Sequence, residues 1–188
     1  MKTQKIISTI FLFLTLSLVS YAKDTNPIKE KKEIKNTVND DETIVSIAAS
    51  NKNFTTLVAA VKAAGLVDVL NSDGPFTVFA PVNDAFAKLP KGTVETLLKP
   101  ENKKLLTAIL TYHVVAGEFK AKDVVKAIND NGGKFVIKTV QGANLTASLK
   151  DGNVILTDTK GNVSTVVITD VDASNGVVHA IDSVVMPQ

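Results

Sequence analysis

Cysteine, tryptophan and arginine are all absent from this 188-residue chain, and aromatic residues make up only 5% of it. Without cysteine there are no disulfides, so a stable fold has to rest on a hydrophobic core of its own. Without arginine there is no planar fork to grip phosphate or carboxylate in a bidentate manner, which counts against enzymes that process anions. Tyr112 is the only tyrosine beyond the first 22 residues, so platforms for stacking on bases or sugar rings are scarce. Phe54, Phe76, Phe79, Phe86, Phe119 and Phe135 sit inside apolar patterns that core packing explains. Nor is one charge in excess: Lys plus Arg is 21 against 19 for Asp plus Glu, and Lys2 and Lys5 account for the difference. Nucleic-acid binding needs clustered basic charge to neutralise phosphates, so no nucleic-acid partner is expected.

Only one long hydrophobic run is present. Met1 to Lys5 is short and basic, Ile6 to Val19 is almost wholly apolar, and Ser20-Tyr21-Ala22 offers a small-residue cleavage site. The run stops short of the roughly 20 residues that cross a bilayer. Residues 1–22 are therefore expected to be a signal peptide cleaved near Ala22, giving a secreted or periplasmic protein without stable membrane insertion. No cysteine follows that site to carry a lipid, and Met186-Pro187-Gln188 is no hydrophobic tail. Residues 23–42 mix Lys with Asp and Glu around Pro27 and read as a charged flexible linker. Residues 43–188 are dense in apolar positions and suit a single domain.

Within that domain the period changes. Ile44, Ile47 and Ala48, then Phe54, Leu57, Val58 and Val61, follow helical spacing, and Gly65 suits a helix C-terminal cap. Leu66 to Leu70 adds a short helical turn before the breakers Asn71-Ser72-Asp73-Gly74-Pro75. Phe76 to Ala80 reads as a buried strand and Asn83 to Phe86 as the start of a short helix. Thr93 to Leu98, with Thr93 as N-cap, and Asn102 to Leu110 read as two more helices. From Phe135 onward β-branched runs take over: Phe135 to Val140, Leu145 to Leu149, Val154 to Thr157, Val163 to Thr169 and Val177 to Val185. Asp151-Gly152 between two runs is a hairpin signal. The expectation is an α+β fold, N-terminal helices packed on an antiparallel β-sheet.

Motifs that carry chemistry are missing. There is no GxSxG, HExxH or GxxxxGK[ST], and no GxGxxG after a strand, so no catalytic residue and no cofactor is assigned. Two histidines, His113 and His179, cannot furnish a zinc site without recruited carboxylates, so no metal is expected. Apolar neighbours flank both, as befits buried, hydrogen-bonded structural histidines.

Three stretches carry a resemblance. They are Thr77-Val78-Phe79-Ala80-Pro81-Val82-Asn83-Asp84-Ala85-Phe86, then Tyr112-His113-Val114-Val115, then Asn175-Gly176-Val177-Val178-His179-Ala180-Ile181-Asp182-Ser183-Val184-Val185-Met186-Pro187. In this order they resemble the signatures of a fasciclin (FAS1) domain, over about Thr43 to Pro187. The first is expected to run from strand to helix, with Phe79 and Phe86 in one core and Asn83 or Asp84 meeting the free N–H groups at that helix start. The last reads as a central strand covered on both faces, admitted by a turn at Asn175-Gly176. Thr77, Phe79, Pro81, Asn83, Asp84, Phe86, Asn175, Gly176, His179 and Asp182 are thus expected to serve the fold.

The resemblance implies a non-catalytic, monomeric extracellular module for cell adhesion or matrix contact, its partner a cell-surface or matrix protein or polysaccharide. In some animal members a Tyr-His pair and an Asp-Ile pair are associated with receptor binding, and these fall here on Tyr112-His113 and Asp170-Val171, with Val for Ile. If Asp170-Val171 forms a recognition spot it should lie exposed in the loop before Asn175; otherwise Val171 is a loop residue folded back on the sheet and Asp170 a solvated turn charge. The alternative function is a carrier holding a small apolar ligand or glycan between helices and sheet, which needs a chamber of roughly 300 Å³ or more.

Overall fold

The structure, a computed structural model, describes residues 42–187. The expected signal peptide at 1–22, and the expected linker except its last residue, lie outside the described residues. The helical half opens with α1 (Ile44–Ser50), α2 (Thr55–Ala64) and α3 (Val67–Leu70). Gly65 closes α2 with φ +71, and its N–H bonds the Lys62 carbonyl, the left-handed cap read from the sequence. Strand β1 (Phe76–Pro81) leads into α4 (Asn83–Ala87), followed by α5 (Thr93–Leu97) and α6 (Lys103–Tyr112). Thr93 is not an N-cap: Gly92 holds that place and Thr93 is already helical.

The remainder is β2 (Val114–Ala116), α7 (Ala121–Asp130) and five strands: β3 (Lys134–Lys138), β4 (Asn144–Lys150), β5 (Asn153–Thr157), β6 (Val163–Ala173) and β7 (Gly176–Ile181). The seven strands lie in the order β2-β1-β7-β6-β5-β4-β3. The sheet is mixed, which corrects the antiparallel expectation: β1 joins β7 in parallel, Phe76 opposite Gly176 through Pro81 opposite Ile181. Nothing local in the sequence records that pairing. Beyond β3, Val140 N–H donates to the Val114 carbonyl at 2.8 Å, bringing the two outer edges of the sheet together.

Two cores follow from the alternation of side chains along β1 and β7. Val78, Ala80, Val178 and Ala180 face the helices α1, α2 and α6. Phe79 and Ile181 face the opposite way, into the curl of the β3–β6 strands beneath α7. Phe79 and Phe86 therefore do not share a core. Phe86 packs at the helical side, beside Ala85, Ile109 and Val184. Every residue of β7 is buried, as a strand covered on both faces requires.

Asn83 also departs from expectation. Its Oδ1 accepts the Thr56 N–H at 3.1 Å and the Thr55 hydroxyl at 3.2 Å, while its Nδ2 donates to the Lys52 carbonyl at 2.8 Å. It satisfies one free N–H at the start of α2, while the start of α4 has no side-chain cap from Asn83 or Asp84.

Candidate functional site

Tyr112 is the last residue of α6 and His113 its C-cap, and β2 starts at the next residue. Tyr112 is wholly buried and His113 is 2% exposed. The Tyr112 hydroxyl donates to the Asn144 carbonyl at 2.7 Å, which ties α6 to β4. Burial pushes this phenol up from its ordinary pKa. His113 Nδ1–H donates to the Ile109 carbonyl at 2.8 Å, and Nε2 accepts the Val185 N–H at 3.3 Å. Both ring nitrogens are in use, so the tautomer is fixed by the backbone on either side.

Asp170 and Val171 are not in a loop. Strand β6 continues to Ala173, and its pairing with β7 slips between Ile168 and Val171. Asp170 sits in that bulge with φ +57, a conformation aspartate tolerates better than most L-residues. Its Oδ1 accepts the Ala121 N–H at 2.7 Å, capping α7, whose own N-cap residue Lys120 makes no side-chain cap bond. Its N–H donates to His179 Nδ1 at 3.2 Å, and His179 Nε2 donates to the Phe119 carbonyl at 2.8 Å. The same imidazole stacks on Phe79, with centroids 5.7 Å apart. Val171 opposes Val178 and packs on the helical core. Of the four candidate interaction residues, only Asp170 is exposed.

The other signature residues serve the same scaffold. Thr77 Oγ1 donates to the Gly117 carbonyl at 2.7 Å and accepts the Phe119 N–H at 2.9 Å, pinning the loop that His179 also holds. Asn175 Nδ2 donates to the Leu70 and Ser72 carbonyls while its Oδ1 accepts the Ile44 N–H, fastening the α1 start and the α3 end to β7. Asp182 accepts the Thr165 N–H at 2.8 Å and faces Lys88 Nζ at 3.1 Å. Sequence reasoning missed Asp158, which is buried, accepts the N–H groups of Lys160, Asn162 and Met186, and anchors the C-terminal segment. Its signal was the Asp-x-x-Gly-Asn turn pattern at Asp158 to Asn162.

One consequence separates cap from bulge. Asp170→Ala should cost about 2 kcal/mol, roughly half from the lost cap and half from forcing alanine into the left-handed region. Asp170→Gly should cost about 1 kcal/mol, since only the cap is lost. Chemical denaturation of both variants checks this, and equal stability of the two would refute the strained-bulge account.

Between α1, α2 and β1 lies an apolar cavity of about 30 Å³, lined by residues such as Ile44, Val58, Val61 and Val78. That is room for about two water molecules, and no carrier's chamber. A larger cleft of about 540 Å³ opens between the α3–β1 loop and the β6–β7 turn, but it is polar and open. Its Asn71 and Asn175 amides are already bonded within the chain. Among the described residues no group of three or more His, Asp or Glu could hold a metal ion, and no helix is long and apolar enough to cross a membrane.

This arrangement can be set beside known proteins. The fasciclin domain profile matches residues 52–187. Protein sll1483 of Synechocystis sp. is 55% identical over 145 residues, 77% of this chain and 73% of that protein. The cell surface glycolipoprotein MPB83 of Mycobacterium bovis is 36% identical over 149 residues, 77% of this chain and 60% of that one. A solved FAS1 domain pair from the insect cell adhesion molecule fasciclin I superposes with a TM-score of 0.69 at 20% identity, over 78% of this chain and 51% of that one. With the family profile over residues 52–187, the 55% identical relative and the likeness of fold in agreement, the chain belongs to the fasciclin domain family.

Proposed function

We propose that this protein is an exported, non-catalytic attachment module, monomeric, that binds a cell-surface or extracellular-matrix component through its exterior. The observation that carries this reading is where the signature residues go. Tyr112, His113, His179 and Thr77 are buried and bonded inside the domain, which leaves the outer surface as the part free to meet a partner. Membership in a family that includes a cell surface glycolipoprotein supports the same reading, as does the signal-like sequence of residues 1–22. The apolar carrier is not favoured, because the cavity beneath the helices is too small.

The test has two parts. N-terminal sequencing of protein recovered outside the cytoplasm should begin close to Lys23. Immobilised protein should then retain cells or extracted matrix in a saturable manner. Recovery of Met1 to Val19 in a membrane fraction, or no retention above an inert protein control, would overturn the reading.

A further inference from the structure

The charge balance of the whole chain conceals an uneven distribution. Along β3 to β6 the residues Phe135, Ile137, Leu145, Ala147, Leu156 and Val166 turn inward, so their neighbours in sequence turn out. The cross-strand register confirms that the outward residues form continuous rows. Val136 opposes Thr146, which opposes Thr157, which opposes Val163. Lys134 opposes Ser148, which opposes Ile155, which opposes Thr165, and of these Ile155 is buried, so the open part of this row is on β3 and β4. Lys138 and Lys150 extend the same face at its two ends, and no Asp or Glu lies on β3, β4, β5 or the Val163–Thr165 stretch of β6 that pairs with β5; Asp170 and the Lys120-paired Asp172 are at the far end of β6.

The three lysines are exposed, and among the described residues none has an ion-pair partner, unlike Lys88, Lys120 and Lys126. Lys138 and Lys134 lie about 13 Å apart along β3, and Lys150 continues the line by about 7 Å on the next strand. Between them stand hydroxyls and exposed Val136, with no aromatic side chain. This is a line of positive charge, without an ion-pair partner among the described residues, along a hydroxyl-bearing surface.

We propose that this outer β3–β6 face binds a linear acidic polysaccharide laid along the strands. The proposal rests on the attachment reading above and names the partner class for it. Charge complementarity selects a polyanion, because three free ammonium groups in a row with no carboxylate among them leave a local field that an anionic chain relieves. Lysine suits carboxylates spaced along a chain, since each ammonium acts as a point charge and needs no fixed bidentate geometry. Serine and threonine hydroxyls between the charges both donate and accept, as sugar hydroxyls require. A lipid surface is the poorer match, because the face offers no tryptophan, tyrosine or phenylalanine to seat in the headgroup region. Guarding an outer strand against pairing accounts for Lys134 and Lys138 but not for Lys150, which lies on the inner strand β4.

The experiment uses the mature full chain, immobilised alginate as polyuronate, neutral dextran as control, and vesicles rich in phosphatidylserine. Wild type should bind alginate and not dextran, and binding should weaken between about 50 and 200 mM salt. The variant K134Q/K138Q/K150Q should lose about tenfold in affinity at unchanged melting temperature. A control variant, K99Q/K103Q/K104Q, alters three exposed lysines near α6 and should bind as wild type does. Equal loss in both variants, or equal binding to vesicles and alginate, would overturn the proposal. So would a K134Q/K138Q/K150Q variant that self-associates while keeping its alginate affinity. Cell or matrix retention measured in parallel separates the two readings. Retention that survives in K134Q/K138Q/K150Q sinks this face and spares the attachment function, whereas alginate binding without retention supports the face and sinks that function.

Discussion

Gly176→Ala is expected to destabilise the domain by about 3 kcal/mol or more, the largest effect of any single glycine replacement in the β half. Gly176 opens the central strand β7 with φ +150, directly opposite Phe76 of β1. A Cβ there would stand 2.0 Å from the Phe76 carbonyl oxygen and 2.7 Å from its nitrogen. Backbone, unlike the end of a flexible side chain, cannot swing aside. Relief would require parting β1 from β7, the pair whose two faces carry both cores. Gly152→Ala provides the comparison, because Gly152 has φ +80 with nothing within 4 Å of its notional Cβ. Only the left-handed strain applies there, about 1 kcal/mol. Urea denaturation of the two variants should differ by about 2 kcal/mol, and equal stabilities would show that the close approach of β1 and β7 imposes no constraint.

Elements whose cause lies within a few residues were legible beforehand. Helical spacing from Ile44 to Val61 and the glycine at 65 specify α1 and α2, and Asp151-Gly152, both at positive φ, makes the β4–β5 turn. Helix α7 escaped reading because Val124 and Ile128 are its only fully buried side chains. Its cap comes from Asp170, distant in sequence, which no local motif can announce. The end of β6 was misplaced for the converse reason. Thr169-Asp170 has the composition of a turn, yet hydrogen bonds to Ala121 and His179 hold Asp170 as a bulge within a longer strand. The parallel β1–β7 pairing and the lysine row on the outer sheet face are likewise products of register between distant segments. A count of charges that came out nearly even could not reveal the second. Within the fasciclin signatures Thr77, Phe79, Tyr112, His113 and His179 are buried, whereas Asp84 is exposed.

Acid should weaken the domain well above the range where carboxylates titrate, and His113 is the reason. Burial drives its pKa from 6.5 down to about 4, against a smaller opposing pull from the Ile109 carbonyl that Nδ1–H meets. Protonation would place a second N–H on Nε2, facing the Val185 N–H that this nitrogen now accepts. The folded state thus binds the proton more weakly than the unfolded chain, whose histidine keeps the ordinary value. The resulting stability is fully present above about pH 6.5, is lost as pH falls toward 4, and declines no further below that. The total is about 3 kcal/mol, of which about 2 kcal/mol should disappear between pH 7 and 5. Burial pushes the Asp158 carboxyl up, but the Asn162 side chain and the Met186, Asn162 and Lys160 N–H groups together hold it below its usual range. Burial likewise pushes Asp182 up, and the Thr165 N–H, Lys88 and Ser183 outweigh it. Those two carboxylates lose their contribution only as pH falls past about 4, so the interval from 7 to 5 separates histidine protonation from theirs, and comparison with a His113 variant assigns the loss to that residue. Denaturation of wild type at pH 7 and pH 5 reads the loss directly. His113→Gln, which keeps an amide donor and acceptor but cannot titrate, should start less stable at pH 7 and then change little by pH 5. A wild-type curve that is flat across this interval would mean that His113 keeps the same proton affinity folded and unfolded, and the sealed contact between the end of α6 and Val185 would have to be abandoned.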